Sequence, residues 1–316
     1  MVEVVALGEI LIDFAQKSVD DMGYPALQAQ PGGAPANFLA ALAKYGHSTA
    51  MIGKVGDDAF GHMLIDTLDK RGIGTDGVIT DSDFFTTLAF VTLDENGDRS
   101  FSFARKPGAD TQLEFEKINM FLLKQAKVFH FGTLSLTDDP AREATEKCLE
   151  YAKNNGKLIS FDPNLRLPLW DDPQDAKQAM LYGLEYADVV KISDEEVEFL
   201  WGCDCEKGAQ IILDDFGASL VYVTLGADGC YYANRNGTGY VKTPQGITPV
   251  DTTGAGDIFG GSAMHCLLYA DKKPANLTAE EMDRICHFAC RAASLSTTKY
   301  GGLTSVPDMA DVEKIL

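Results

Sequence analysis

Apolar residues recur along this chain in two alternating patterns. Short runs rich in β-branched and aromatic residues occur at VEVVALG (2–8), TAMIGKV (49–55), KVFHFG (127–132), KLISFD (157–162), DVVKIS (188–193) and SLVYVTLG (219–226). Runs of this length and composition predict strands. Between them, segments 34–45, 57–71, 138–155, 174–186, 205–216, 254–270 and 279–298 carry helix-like patterns. Gly46, Gly72 and Gly156 stand where three of these helices should stop. Strands alternating with helices predict an α/β fold with a mostly parallel sheet covered on both faces.

One region breaks the rhythm. TTLAFVTLDENGDRSFSFAR (86–105) reads as two strands around a turn, with Asn96-Gly97 favouring a tight hairpin. Residues 14–30 lack helical periodicity. Together they predict a small β sheet standing off the main one, drawn from about 14–30 and 84–106. It acts either as a lid or as a decorative hairpin; the lid is favoured because both pieces flank the motifs below. No Pro/Ser-rich linker, low-complexity tract or repeat divides the chain, so 1–316 is expected to be one domain.

Composition narrows the function. The 316 residues are 45% hydrophobic and carry a net charge of −20. Such acidity speaks against nucleic acid and anionic membranes as partners. The start, MVEVVALGEILIDF, lacks a basic segment and holds Glu3, Glu9 and Asp13, unlike a signal peptide. No apolar run approaches the ~20 residues of a membrane span. Seven cysteines occur without paired CxxC spacing. Cys286, His287 and Cys290 cluster but lack a four-ligand set, so reduced structural thiols in a cytoplasmic protein are expected.

The densest chemistry lies in DTTGAGDIFGGSA (251–263). Gly254, Ala255 and Gly256 precede an apolar helix. Backbone N–H groups at a helix start, with glycines permitting close approach, make an anion hole; a plain tight loop is the other reading. There is no GxxxxGK[ST], and the G254-x-G256-x-x-x-G260 spacing misses GxGxxG by one residue. Asp257 suits proton abstraction from a hydroxyl better than phosphate binding. An anion hole beside a base suggests phosphoryl transfer, with amides facing the phosphoryl group and Asp257 facing the acceptor.

A second motif, QPGGAPANFLAALAKYG (30–46), leads a glycine pair into a helix bearing Asn37. Asn37 both donates and accepts hydrogen bonds, as a polyol requires. Gly32 and Gly33 permit close backbone approach. Asp13 follows the first strand, where α/β ligands usually bind, and its carboxylate can accept from sugar hydroxyls.

GGAPANFLAALAKYG together with DTTGAGDIFGGSA resembles the two signature regions of the ribokinase-like, or PfkB, carbohydrate kinases, within which the chain is most similar to the bacterial fructokinases. The resemblance spans essentially the full length, with the motifs in the expected order. It implies a Rossmann-like three-layer α/β/α domain capped by a small β lid, and an ATP- and Mg2+-dependent kinase phosphorylating D-fructose to fructose 6-phosphate. Other acceptors, 2-keto-3-deoxygluconate or ribose, and a non-catalytic sugar-binding regulator are the alternatives. Asp257 matches the catalytic base and 254–256 the anion hole. Asp13, Gly33 and Asn37 match sugar-holding positions, and Arg105 and Arg166 further active-site positions.

On the nucleotide side, VTLGADG (223–229) resembles the family's nucleotide-binding turn, with Thr224, Gly226 and Gly229 as candidates. Glu196 is retained from the family's Asn-x-x-Glu, which bears on magnesium and phosphates, but Ser193 replaces the asparagine. Lys191 is placed to meet phosphate. Cys290 stands where relatives often have an asparagine near adenine. Asp251 and Thr253 match positions that help bind a monovalent cation such as K+, with Ser296, Gly301 and Ser305 as completing groups. Joining of two lids into a homodimer is a further expectation.

Overall fold

The computed structural model describes residues 2–93 and 99–314, and the side chains of all these except 93 and 99–101. The Asn96-Gly97 turn lies outside the described residues. Thirteen strands occur among them: β1 Val4–Leu7, β2 Leu11–Val19, β3 Pro25–Gly32, β4 Thr49–Gly56, β5 Ile73–Asp81, β6 Leu88–Leu93, β7 Arg99–Ala104, β8 Val128–Phe131, β9 Leu158–Phe161, β10 Val189–Ser193, β11 Leu220–Thr224, β12 Cys230–Asn234 and β13 Gly237–Val241. The helices are α1 Ala34–Lys44, α2 Ala59–Lys70, α3 Met120–Gln125, α4 Ala141–Asn154, α5 Pro173–Leu184, α6 Asp194–Trp201, α7 Cys205–Asp215, α8 Ala255–Ala270, α9 Ala279–Ser296 and α10 Met309–Lys314.

The main sheet has nine strands in the order β13-β12-β11-β10-β9-β8-β1-β4-β5. From β11 to β5 every pairing is parallel, and only β12 and β13 join antiparallel. Alternation along β1 shows why its strands read as continuous apolar runs. Val4 and Ala6 enter one core, with residues of α1, α2, α8 and α9, while Val5 and Leu7 enter the other, with residues of α4, α6 and α7. Both faces are covered, which makes a three-layer α/β/α arrangement, as the resemblance implied.

All six strand runs read from the sequence lie in this sheet. Three of its strands carried no sequence reading: β5, β12 and β13. The two glycines of β5, Gly74 and Gly77, weaken its strand pattern. Strand β13 alternates partly exposed and exposed residues until Val241, as suits an edge. Helices α3, α6 and α10, of six to eight residues, are too short to give a periodic signal.

A second sheet of four strands, in the order β3-β2-β6-β7, stands apart. Its strands come from 11–32 and 88–104. Strands β6 and β7 form an antiparallel pair, and β2 joins β6 in parallel. Asp13 therefore sits within β2, not directly beyond the first strand. Among the described residues no helix is long and apolar enough to cross a membrane.

Candidate active site

Two cavities meet near the carboxyl ends of the parallel strands, the usual ligand end of an open α/β sheet. The first, of about 200 Å3, is lined by Glu9, Asp13, Gly33, Asn37, Phe103, Arg166, Lys191, Gly254, Gly256 and Asp257. The second, of about 450 Å3, is lined by Thr224, Gly226, Gly229, Phe259 and Cys290 among others. Thr252 and Gly256 line both. The turn before α8 is thus the wall between them.

That turn is built by backbone conformation. Gly254 caps α8 in the left-handed region at φ 76°. A methyl group there would also stand 2.7 Å from the Gly302 Cα, so only glycine fits. No side chain caps the helix, and its first intrahelical bond runs from Ile258 N to Gly254 O at 2.9 Å. The N–H groups of Gly256 and Asp257 therefore have no intrahelical acceptor. Ala255 is different: its N–H donates to Thr252 O at 3.3 Å. It closes the turn, and of the three residues read as an anion hole it contributes shape more than a free donor.

Asp257 follows in the first turn of α8. Its Oδ2 accepts from Asn37 Nδ2 at 2.8 Å. Asn37 reaches it from α1, whose N-cap is Gly33 at φ 113°. A methyl group at Gly33 would fall 2.5 Å from the Glu9 carbonyl. Burial raises the Asp257 carboxyl above the ordinary aspartate range, against the Asn37 hydrogen bond and the charges of Lys191 and Arg166. A raised aspartate is better matched to taking a proton near neutral pH.

Asp13 comes from the small sheet. Burial lifts its carboxyl to about 7, with Arg166 pulling it down and Asp257 and Asp251 pushing it up. Gly32 does not line the cavity. It serves Asp13 instead, since a methyl group there would lie 2.2 Å from Asp13 Oδ2. Arg166 lines the cavity as expected, with Nη1 donating to Leu165 O at 3.0 Å.

Lys191, in β10, extends to the wall. Its Nζ lies 3.1 Å from Asp162 Oδ2, and a methyl group on Gly256 would come within 2.9 Å of it. Burial opposes its charge, but Asp162, Glu196 and Asp257 outweigh that and raise its pKa. The ammonium stays protonated beside the anion hole.

Four positions differ from their sequence reading. Arg105 is 4% exposed. Its Nε donates to Asp110 at 2.8 Å, Nη1 to Thr137 Oγ1 at 2.8 Å and Nη2 to Leu134 O at 2.7 Å. It braces the turn carrying Leu134 behind the cavity and does not line the cavity itself. Gly32, as above, also stands behind it. Ser193 and Glu196 line neither cavity and form a capping box at α6. Ser193 Oγ accepts from Glu196 N at 3.1 Å, and Glu196 Oε2 accepts from Ser193 N at 2.8 Å. The other Glu196 oxygen accepts from Leu165 N at 2.7 Å. Both oxygens hold backbone, and the serine in place of asparagine is a good helix cap.

In the larger cavity, the tight turn after β11 closes with Leu225 N donating to Gly229 O at 2.8 Å. Cys290 faces the cavity from α9, and burial keeps its thiol protonated. Beyond the wall, Asp251 is 7% exposed. Its Oδ1 accepts from Thr253 N and Thr253 Oγ1 at 3.0 and 2.7 Å, and its Oδ2 from Gly301 N at 3.0 Å. Ser296 and Ser305 donate to Ala293 O and Gly302 O at 2.7 and 3.0 Å. Asp251 thereby ties the anion-hole turn to the 301 loop.

Sequence reasoning passed over Glu9, Asp162 and Phe103. Glu9 Oε1 accepts from Ala34 N at 2.8 Å and caps α1 from outside the helix; no local pattern signals such a contact. Asp162 had a signal, since it follows β9 at the ligand end of the sheet. Phe103 descends from β7 of the small sheet onto the smaller cavity.

Comparison with known proteins places the chain in a family. A probable fructokinase-4 of Arabidopsis thaliana is 39% identical over 316 residues, covering 99% of this chain and 96% of the relative. The fructokinase of Xylella fastidiosa, solved with bound ATP, superposes with a TM-score of 0.89 at 31% identity, covering 99% of this chain and 98% of that one. A double mutant of the Vibrio cholerae fructokinase, solved with fructose, ADP and a potassium ion, gives a TM-score of 0.88 at 33% identity, covering 100% and 98%. The pfkB family carbohydrate kinase model matches residues 1–309, and the chain belongs to that family.

Proposed function

We propose that this protein phosphorylates D-fructose from ATP to give fructose 6-phosphate. The observation that carries the reading is the shared wall: Thr252 and Gly256 line both cavities, with Asp257 and Lys191 beside them. Two ligands in these cavities would meet at a cluster of backbone donors, an ammonium group and a base.

The sugar belongs in the smaller cavity. Asp13 accepts hydrogen bonds from its hydroxyls, and Arg166 and Phe103 close around it. Asp257, oriented by the Asn37 amide, takes the proton of the primary hydroxyl as that oxygen attacks. The N–H groups at the start of α8 and the Lys191 ammonium stabilise the charge of the phosphoryl group in transfer. The nucleotide belongs against Thr224, Gly226, Gly229 and Cys290, and Mg2+ bound with it supplies further charge neutralisation.

A monovalent cation such as K+ fits beside Asp251. We infer that its hard oxygen ligands would come from the buried Asp251 carboxylate, the Thr253 hydroxyl bonded to it and the 301 loop, with Ser296 and Ser305 as completing groups. Such an ion would stiffen the turn that carries the anion hole. The seven cysteines are unpaired, which supports a reducing cytoplasmic setting. Val19, Met22 and Tyr24, exposed at 54%, 76% and 64% at one end of the small sheet, support pairing of two lids in a homodimer.

Measuring ATP-dependent phosphorylation across ketoses, aldoses and acid sugars tests the acceptor. Fructose should give the highest kcat/KM, with phosphate on its primary hydroxyl. No turnover of fructose, with turnover of an acid sugar or ribose, overturns the acceptor. No ATP consumption with any sugar overturns catalysis itself.

A further inference from the structure

Among the described residues, Asn164 and Asp271 are the ones other than glycine with left-handed backbone, at φ 47° and 48°. That conformation is unfavourable for a residue bearing a Cβ and persists only where the surroundings impose it. Asp271 has an ordinary reason: it is the C-cap of α8, at an exposed helix end. Asn164 ends no helix. It follows β9 at the ligand end of the sheet, and it lines the sugar cavity.

Its surroundings fix it from both sides. The Asn164 N–H donates to Asp162 Oδ1 at 3.2 Å, the same oxygen that accepts from Lys191 Nζ at 3.2 Å. Pro163 O, just before it, accepts from Thr133 N and Thr133 Oγ1 at 3.1 and 2.6 Å. Leu165 N, just after it, donates to Glu196 Oε1 at 2.7 Å. Asp162, Thr133 and Glu196 are all buried, and they come from β9, from the turn after β8 and from α6. Three elements therefore hold the backbone of 163–165 in one shape. A left-handed residue held this firmly, on the wall of a substrate cavity, is the mark of a side chain presented to a ligand. The carboxamide suits a polyol: it is neutral and both donates and accepts. The carboxylates of Asp13 and Asp257 accept and Arg166 donates, so Asn164 adds the group that can do either for one hydroxyl.

We propose that Asn164 is a substrate-binding and specificity-determining residue, its carboxamide hydrogen-bonded to a sugar hydroxyl other than the one Asp257 deprotonates. The inference rests on the smaller cavity being the sugar site. A site built to bond a hydroxyl rejects an analogue lacking it far more strongly than an apolar wall does, so Asn164 sets which neutral sugars are accepted.

Asn164→Gly removes the carboxamide and keeps the backbone, because glycine takes left-handed φ without a Cβ penalty. Its melting temperature should change little. Its KM for D-fructose should rise about tenfold, a loss of about 1.4 kcal/mol, at nearly constant kcat. That rise should disappear with one of the monodeoxy forms of D-fructose, the one missing the hydroxyl that Asn164 holds, since wild type and variant then lack the same bond. A KM equal to that of the wild type would show that Asn164 serves only its turn and would overturn the proposal. An equal rise with every monodeoxy form would overturn it too. If Asn164→Gly fails to fold, Asn164→Asp keeps the size and the tolerance for left-handed backbone but removes the amide donor, and the same two comparisons decide. Wild-type turnover tests the sugar site separately. If another sugar is turned over in place of fructose, that sugar and its deoxy forms carry the comparison; if none is, the role of Asn164 falls with the sugar site.

Discussion

The role proposed for Asp257 as the base rests on what surrounds it. Its burial raises the carboxyl, and the Asn37 amide engages one oxygen and leaves the other for the substrate. Asp257→Asn keeps the shape and removes the proton acceptor. It should lower kcat by at least about a hundredfold, the ordinary scale of base catalysis, with little change in KM for fructose or in melting temperature; equal kcat in the two proteins would remove the base. Activity should also fall on the acid side at a pH above the ordinary aspartate range, since Asp257 must be ionised to work. A rate profile flat down to pH 4 would contradict that. Asp13 carries a matching signature in stability. Its folded pKa of about 7 exceeds the ordinary aspartate value of 3.8, so the native state binds its proton more tightly than the unfolded chain. The stabilisation is fully present below about pH 3.8 and is lost as pH rises through about 7. Asp13→Asn should flatten the fall in urea midpoint between those limits, and an unchanged slope would show that the carboxyl titrates normally.

At the scale of elements, the two helix starts near the site are satisfied by opposite means, and this separates a ligand site from a structural cap. Helix α8 has no side-chain cap and a left-handed glycine, so the amides of Gly256 and Asp257 remain for a ligand. Helix α6 is closed by Ser193 and Glu196, each bonded to the other's backbone. Ser193→Ala should therefore cost about 1 kcal/mol of stability while leaving the KM for ATP within about twofold, since twofold corresponds to only about 0.4 kcal/mol. A tenfold rise in that KM without loss of stability would return Ser193 to the phosphate site. The sequence motif at 193–196 was legible as a helix start but not as a choice between these roles, because both use the same side chains. The glycine turn at 254–256 was legible because the left-handed conformation and the crowding by Gly302 leave a mark in residue type. Glu9 left none, since its partner Ala34 is distant along the chain and any acceptor side chain of the right length would serve.

Across the whole molecule, the buried parallel strands were legible because both faces need apolar residues, whereas β5 and β13 are the sheet edges, where partly exposed residues relax that demand; β12 is buried on both faces, but at five residues ending in Asn234 it is too short to stand out. The small sheet was legible as a break in rhythm at 14–30 and 86–105. Its contribution to the site was legible only in part: Asp13 was read as a sugar-holding residue but placed beyond the first strand, and Phe103, which also reaches the cavity, lies in an ordinary strand pattern. That residue links the architecture to the chemistry. The main sheet supplies the wall, the base and the ammonium, but Asp13 and Phe103 come from the second sheet, so the sugar cavity is complete only when the two sheets stand together. With the sugar placed as proposed, an apolar ring over it would exclude water from the phosphoryl group. Removing it has two separable consequences. Exposing the area covered by a partly buried phenylalanine should cost about 1.5 kcal/mol of sugar binding, or roughly tenfold in KM for fructose. Water admitted to the wall should compete with the sugar for transfer. In Phe103→Ala, the ratio of ATP consumed to fructose 6-phosphate formed should rise above one, while Asp257 still supports turnover. If KM rises and the ratio stays at one, Phe103 contributes contact only, and the task of excluding water falls to the polar groups of the main sheet.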